Sequence, residues 1–423
     1  MERKIIRTYL LISSLFTLSA SLIWGINTLF LLSSGLNIFQ VFLVNGIYTA
    51  SMALFEIPTG VVADTLGRRT SFLASAVVLL LGTLGYVFAA QVEQNLGLFI
   101  FMSVVLGISF TFYSGAVEAW VVDALHTVNK NYDLEGVFSK GAGVSAIAML
   151  VGTVSGGLLG TINLRIPYVV RASIVLIVFF IALAYMKDIG YEPKTVTRKT
   201  VLPEMKKIWD KSIQYGVKQA SINRLMRLSL LFGTFMMWGW YAWQPYFLEL
   251  YGDPSAVWVA GLISAAISLA MAVASFAVPT VVKRFKKRSA YLKMVYGIMA
   301  ILIFMVGISG SFFIAVPAYI LFAFFMGLSG PVKQTYFHRL VPSEERATVV
   351  SFDSLVASAG GVAGQPVLGY LSNTVGIGVS YQLSSFIVLL TVPVLRSLTK
   401  QNDPCDVISQ DPVDDDDNES MSD

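Results

Sequence analysis

From residue 8 to residue 55 the chain carries no Asp, Glu, Lys or Arg, and the same holds for 141–164, 255–282, 294–332 and 354–395. A bilayer core about 30 Å thick takes roughly 20 helical residues to cross. Inside it every backbone N–H and C=O needs a partner within the protein, which a helix supplies by itself. The shorter runs therefore hold one crossing each and the longer ones two. Only 13% of the residues are charged, 55% are hydrophobic, and the mean hydropathy is +0.69. Soluble domains carry about 25% charged residues, so lipid is the solvent these runs fit.

Twelve crossings account for the pattern: 8–33, 37–63, 70–90, 96–124, 138–161, 166–186, 228–250, 256–282, 290–309, 312–338, 347–372 and 376–397. The expected fold class is an all-α integral membrane protein with about twelve transmembrane helices. Arg3, Lys4 and Arg7 precede the first run, which is too long for a secretory leader and reads as a retained helix. The lone Cys405 forms no intramolecular disulfide.

Orientation follows from where the cations lie. Of the 30 Lys and Arg residues, 28 fall on the termini, on the connections that follow even-numbered crossings or in the helix ends beside them, and Arg165 and Arg171 are the two exceptions. The positive-inside rule then predicts both termini in the cytoplasm, and the cell membrane is the expected location. The stretch 187–227 holds ten of these cations. It reads as a tether lying on an anionic leaflet, with an interfacial helix near 205–226. The segment 399–423 ends in Asp414, Asp415, Asp416 and Asp417, followed by Glu419 and Asp423. A like-charge run of this kind is expected to be disordered.

The chain also repeats itself. Phe55-Glu56-Ile57-Pro58-Thr59 ends crossing 2 as Phe276-Ala277-Val278-Pro279-Thr280 ends crossing 8, and a basic turn follows each. Ser114-Gly115-Ala116-Val117-Glu118 in crossing 4 matches Ser329-Gly330-Pro331-Val332-Lys333 in crossing 10. These matches divide the chain into a six-helix bundle at 1–186, the linker 187–227, a second bundle at 228–398 and the tail 399–423. Two parallel repeats about an axis along the membrane normal place a substrate site near mid-membrane between them.

The connection after crossing 2 reads Gly60-Val61-Val62-Ala63-Asp64-Thr65-Leu66-Gly67-Arg68-Arg69. This resembles the signature of the major facilitator superfamily, with Thr65 where that family usually has a basic residue. With Glu56-Ile57-Pro58-Thr59-Gly60 it is similar to a prokaryotic branch of the family. The resemblance implies two pseudo-symmetric six-helix bundles, alternating access, and cavity-lining roles for crossings 4 and 10. It also implies that Asp64 faces the start of crossing 11, capped at residues 342–345, while the two bundles are closed on the inside. Departures from the family's drug exporters are the missing Pro in Ser155-Gly156-Gly157 and the absence of an Arg pattern in crossing 4.

Ionisable residues inside membrane helices are costly and default to functional candidates. Glu118 and Lys333 occupy matched repeat positions and are expected to face each other across the cavity, as a gate or a proton and substrate site. Glu56 is a second candidate proton carrier. Arg171 suits an anionic ligand, although its place near a helix end also fits snorkelling. Trp24, Asn27, Tyr113, Trp240 and Tyr241 are candidate lining residues, in a region of crossing 7 crowded with Trp238, Trp243 and Tyr246. Gly60 is expected to allow close helix approach and Gly67 a sharp turn, while Arg68 and Arg69 are positioned to pair with Asp123.

The leading expectation is a secondary transporter that exports a small organic compound, driven by protons. Uptake of an anionic metabolite with protons is the alternative within that class, and a non-transporting sensor or scaffold is the alternative outside it. No phosphate loop and no His/Cys cluster occurs, so neither ATP drive, a metal, a cofactor nor an enzyme activity is expected. The expected partners are the solute, protons and membrane lipids. A nucleic acid is not among them, and a monomer is expected.

Overall fold

The structure, a computed structural model of the whole chain, describes residues 1–92, 95–128, 132–190, 219–341 and 346–408. Helices dominate and no strand occurs among the described residues. They are α1 (Glu2–Trp24), α2 (Asn27–Ser33), α3 (Ile38–Leu66), α4 (Arg68–Ala89), α5 (Leu96–Tyr113), α6 (Ala116–Val128), α7 (Leu134–Ile162) and α8 (Ile166–Tyr185). Beyond residue 218 follow α9 (Ala220–Tyr251), α10 (Val257–Val282), α11 (Arg288–Ile308), α12 (Phe312–Leu340), α13 (Arg346–Val375), α14 (Ile377–Leu389) and α15 (Thr391–Thr399).

Among the described residues ten helical stretches are long and apolar enough to cross a membrane, with α5–α6 and α14–α15 each counted as one. This is a multi-pass membrane protein. The helices α9 and α13, of 32 and 30 residues, lie outside those ten. Trp, Tyr, Gly and Ser replace aliphatic side chains along them. Some expected crossings are interrupted: the first at Gly25 and the fourth at Ser114–Gly115, where Gly115 has φ 71°. The seventh begins at Ala220 rather than at 228, so 220–227 is helix and not linker. The remainder of the linker, 191–218, lies outside the described residues.

Packing repeats between the first eight helices and the last seven. The pairs α1–α7, α3–α5, α4–α5 and α4–α8 recur as α9–α13, α10–α12, α11–α12 and α11–α14. Small residues four apart bring the backbones together in both sets. Gly152 and Gly156 of α7 lie against Leu18 and Leu22 of α1, while Gly360 and Gly364 of α13 lie against Leu230 and Thr234 of α9.

Between the two sets the main contacts are α3 with α13 and α7 with α10. They concentrate at the end away from the chain termini. A Cβ built on Gly157 of α7 would lie 2.6 Å from the Cα of Gly261 of α10, so only hydrogen fits at this crossing. Nearby, Thr28 N–H donates to Gln244 Oε1 (2.9 Å), Gln244 Nε2 donates to the Trp24 carbonyl (2.8 Å), and Gln365 Nε2 donates to Thr49 Oγ1 (3.0 Å). Toward the termini the sets splay. Among the described residues, a Cβ on Gly60 of α3 or Gly143 of α7 would meet nothing within 4 Å. The close helix approach expected at Gly60 is thus not made with any described residue in this structure.

The expected disorder from 399 onward is corrected for 400–408, which folds back on the second set. Asp406 is fully buried and accepts from the Ser289 N–H (2.7 Å) and hydroxyl (2.5 Å) at the start of α11. Arg288 donates to the Cys405 carbonyl (3.0 Å), and Ser221 of α9 donates to Asp403 (2.7 Å). Burial and the nearby Asp403 carboxylate raise the Cys405 thiol pKa. A carboxylate at a helix N-terminus satisfies orphan N–H groups and opposes the helix dipole. Asp406→Ala is expected to cost about 1.5–3 kcal/mol. Denaturant unfolding in detergent checks this, and unchanged stability would show that the segment does not clasp the bundle.

Candidate functional site

Beneath the closed end lies a cavity of about 130 Å³. Its wall is built by α1 to α5, α8 and α9, and Tyr241 is the contribution of the second set. The polar part is a chain of side chains buried among apolar ones. Tyr168 donates to Asn27 Oδ1 (2.8 Å), and Asn27 Nδ2 donates to Asn45 Oδ1 (3.2 Å). Tyr86 and Ser103 share a hydrogen bond of 2.6 Å. Phe16, Leu79, Leu106 and Phe110 complete the wall.

Arg171 points into this space from α8. It is 9% exposed, and its Nε has no hydrogen-bond partner. The tyrosines Tyr48, Tyr86, Tyr168 and Tyr241 are its electrostatic neighbours. Snorkelling toward the interface is thus corrected, because the residue faces the bundle interior. Among the described residues no counter-charge pairs with this guanidinium, and burying it so is costly, which makes the position a candidate for ligand binding.

Four of the residues singled out from the sequence, Trp24, Asn27, Arg171 and Tyr241, meet at this cavity. Tyr113 stacks on the lining Phe16 at 3.8 Å between ring centroids. Trp240 lines a separate small cleft with Trp24 and Trp243. Trp238 is fully buried against Phe42 and Tyr381, so it belongs to the core. Asn45, Tyr48 and Tyr168 escaped the sequence reading. They lie inside apolar runs, where only the helix face separates a cavity residue from a core one.

The expected bridge between Glu118 and Lys333 is not formed in this structure. Lys333 of α12 donates to Asp353 of α13 (2.7 Å) and to Ser229 of α9 (2.5 Å), and Ser229 also donates to Asp353. The lysine is satisfied within its own set. Glu118 is exposed on α6 toward the splayed end, with Tyr9 and Tyr113 nearby. Glu56 is likewise exposed, beside Ser114. Asp353 was hidden in the sequence because it borders the charge-free run 354–395.

At the turn after α3, Gly67 has φ 101°, and a side chain there would collide with the Asp188 carboxylate. Arg68 lies 3.9 Å from Asp123. Arg69 instead uses its N–H on Asp188 (2.9 Å) and its guanidinium on the Leu183 carbonyl (2.9 Å). The side chain of Asp64 and the cap at 342–345 lie outside the described residues.

Membrane-length helices in two similarly packed sets, closed at one end over a polar cavity, define a membrane transport protein. The chain belongs to the Major Facilitator Superfamily, whose family model matches residues 9–365. No curated protein matches it. Among solved structures it is similar to the nucleoside transporter NupG (12% identity, TM-score 0.76, 94% of this chain and 99% of that one). It is also similar to a POT family transporter in complex with 5-aminolevulinic acid (13%, 0.72, 94% and 96%). A D-xylose-proton symporter is a third likeness (15%, 0.65, 93% and 96%). At these identities the likeness is one of fold.

The Lys333–Asp353 pair makes a direct prediction. Lys333→Met leaves a partly buried carboxylate uncompensated and is expected to cost about 3–5 kcal/mol, whereas Lys333→Met with Asp353→Leu restores most of it. Unfolding of the double-mutant cycle in detergent measures this, and additive losses would show that the two charges are not coupled.

Proposed function

We propose that the protein is a secondary active transporter that exports a small organic solute by alternating access, in exchange for protons. It consists of two pseudo-symmetric six-helix bundles, 1–186 and 220–398, with twelve spans in all. The linker between them and both termini lie on the cytoplasmic side of the cell membrane. The single observation that carries this reading is the one-sided closure. Gly157 and Gly261 touch at one end, while at the other a Cβ on Gly60 or Gly143 would meet nothing within 4 Å among the described residues. With the termini in the cytoplasm, this is an inward-open state with the cavity at its inner limit.

Proton coupling is assigned to Glu118 and Glu56, the carboxylates on the open side. A carboxyl group holds its proton more firmly when a closing cavity desolvates it and releases it on re-opening. Arg68 and Asp123, with Asp64 and Gly67, act in gating. The protein works as a monomer with a solute, protons and lipid as partners.

Arg171 favours a second direction, uptake of an anionic metabolite together with a proton. Electrogenicity separates the two. Exchange of a neutral solute for a proton moves one charge per cycle and exchange of a monoanion moves two, so a 100 mV potential changes the driving force by about 2.3 kcal/mol per charge moved. One-for-one symport of a monoanion with a proton moves none. In proteoliposomes, export predicts flux that responds to both pH gradient and potential, and Glu118→Gln should lower pH-driven flux to near that of protein-free liposomes. Full pH-driven flux in that variant would remove Glu118 from the coupling.

A further inference from the structure

Two groups in the cavity wall lack partners, and both are donors. Arg171, more than nine-tenths buried, has no acceptor for its Nε. Asn45, 5% exposed, commits its Oδ1 to Asn27 and leaves its Nδ2 without an acceptor. No carboxylate lines the space. The wall therefore presents two donors without acceptors and a cationic side chain with no negative charge beside it in the lining.

Geometry narrows what can. A guanidinium presents two parallel N–H donors that match a carboxylate, giving bonds roughly twice as strong as neutral ones. Beyond the donors the wall combines apolar and aromatic side chains, Phe16, Leu79, Leu106 and Phe110, with tyrosine hydroxyls. A hydrated inorganic anion gains nothing from the apolar part of such a surface. The volume of about 130 Å³ restricts the ligand to a compact molecule.

We infer that this cavity binds a compact organic monoanion, a carboxylate on a body of about one aromatic ring, with Arg171 and Asn45 holding the carboxylate. The inference rests on the transport reading for the ligand's role as substrate. The binding site itself is independent of whether the ligand is carried.

The probes are benzoate, its neutral isostere benzamide, and sulfate, added to purified full-length protein in detergent and measured by equilibrium binding and thermal shift. Benzoate is expected to bind at least about tenfold tighter than benzamide, since charged hydrogen bonds contribute more than neutral ones, and sulfate is expected to produce no shift. Arg171→Gln should erase the preference for benzoate over benzamide, and Arg171→Lys, which keeps the charge, should retain it. Equal binding of benzoate and benzamide by the wild type, or undiminished benzoate binding by Arg171→Gln, would overturn the site, as would sulfate binding as well as benzoate. The first comparison uses no variant, so misfolding cannot mask it. Counterflow of labelled benzoate in proteoliposomes separates the two readings. Binding without flux keeps the site and removes the transport role, whereas flux of neutral solutes without benzoate binding removes the site and keeps the transporter.

Discussion

Helices in lipid gain nothing from hiding apolar surface, because the surrounding tails are equally apolar, so they hold together where their backbones come close. That constraint organises this protein. Within each set the close approaches are extensive, along Gly152 and Gly156 on α1 and along Gly360 and Gly364 on α9. Between the sets the close approaches are Gly157 on Gly261 and Gly369 on Phe42, supported by a few hydrogen bonds through Gln244 and Gln365. Two firmly packed bodies joined chiefly toward one end can move as units, and the cavity lies beneath that end. The turn at 403–406 adds rigidity to the second body by tying α9 and α11 together.

The handling of charge follows the same division. Lys333, Asp353 and Ser229 satisfy one another inside the second set. Such a triad fixes helix positions and balances its own charge. The Arg171 Nε is buried without an acceptor, and Glu56 and Glu118 face the open end. These three side chains belong to the first set, and together with the cavity lining, to which the second set contributes Tyr241, they underlie the proposal that recognition falls chiefly to the first set.

Much of the architecture was legible in the sequence because lipid imposes it. Charge-free runs of the right length and basic connections led to the helices, and the repeat led to their matched packing. Side-chain facing was harder to read. Lys333 aligns with Glu118 in the repeat, yet it points to Asp353 because α12 and α13 are neighbours there, and the alignment carries no information about that adjacency. Arg171 looked suited to snorkelling from its place along α8, and only its face on the helix decides that it turns inward. The acidic run at 414–417 spread an expectation of disorder back over Asp403 and Asp406. Those two acids instead accept from serines on α9 and α11, a pairing set by tertiary contact alone.

The central claim is that the two sets move as bodies, closing one end as the other opens. Pulsed electron-spin distances test it most directly, in a Cys405→Ser background that removes the lone native thiol. Leu54 and Phe276, 73% and 85% exposed near the open end, form one labelled pair. Asn37 and Asp253, exposed at the closed end, form the other. On addition of a transported solute the first distance should shorten while the second lengthens. Distances that change together, or that stay fixed at both ends while solute is being carried, would contradict the account.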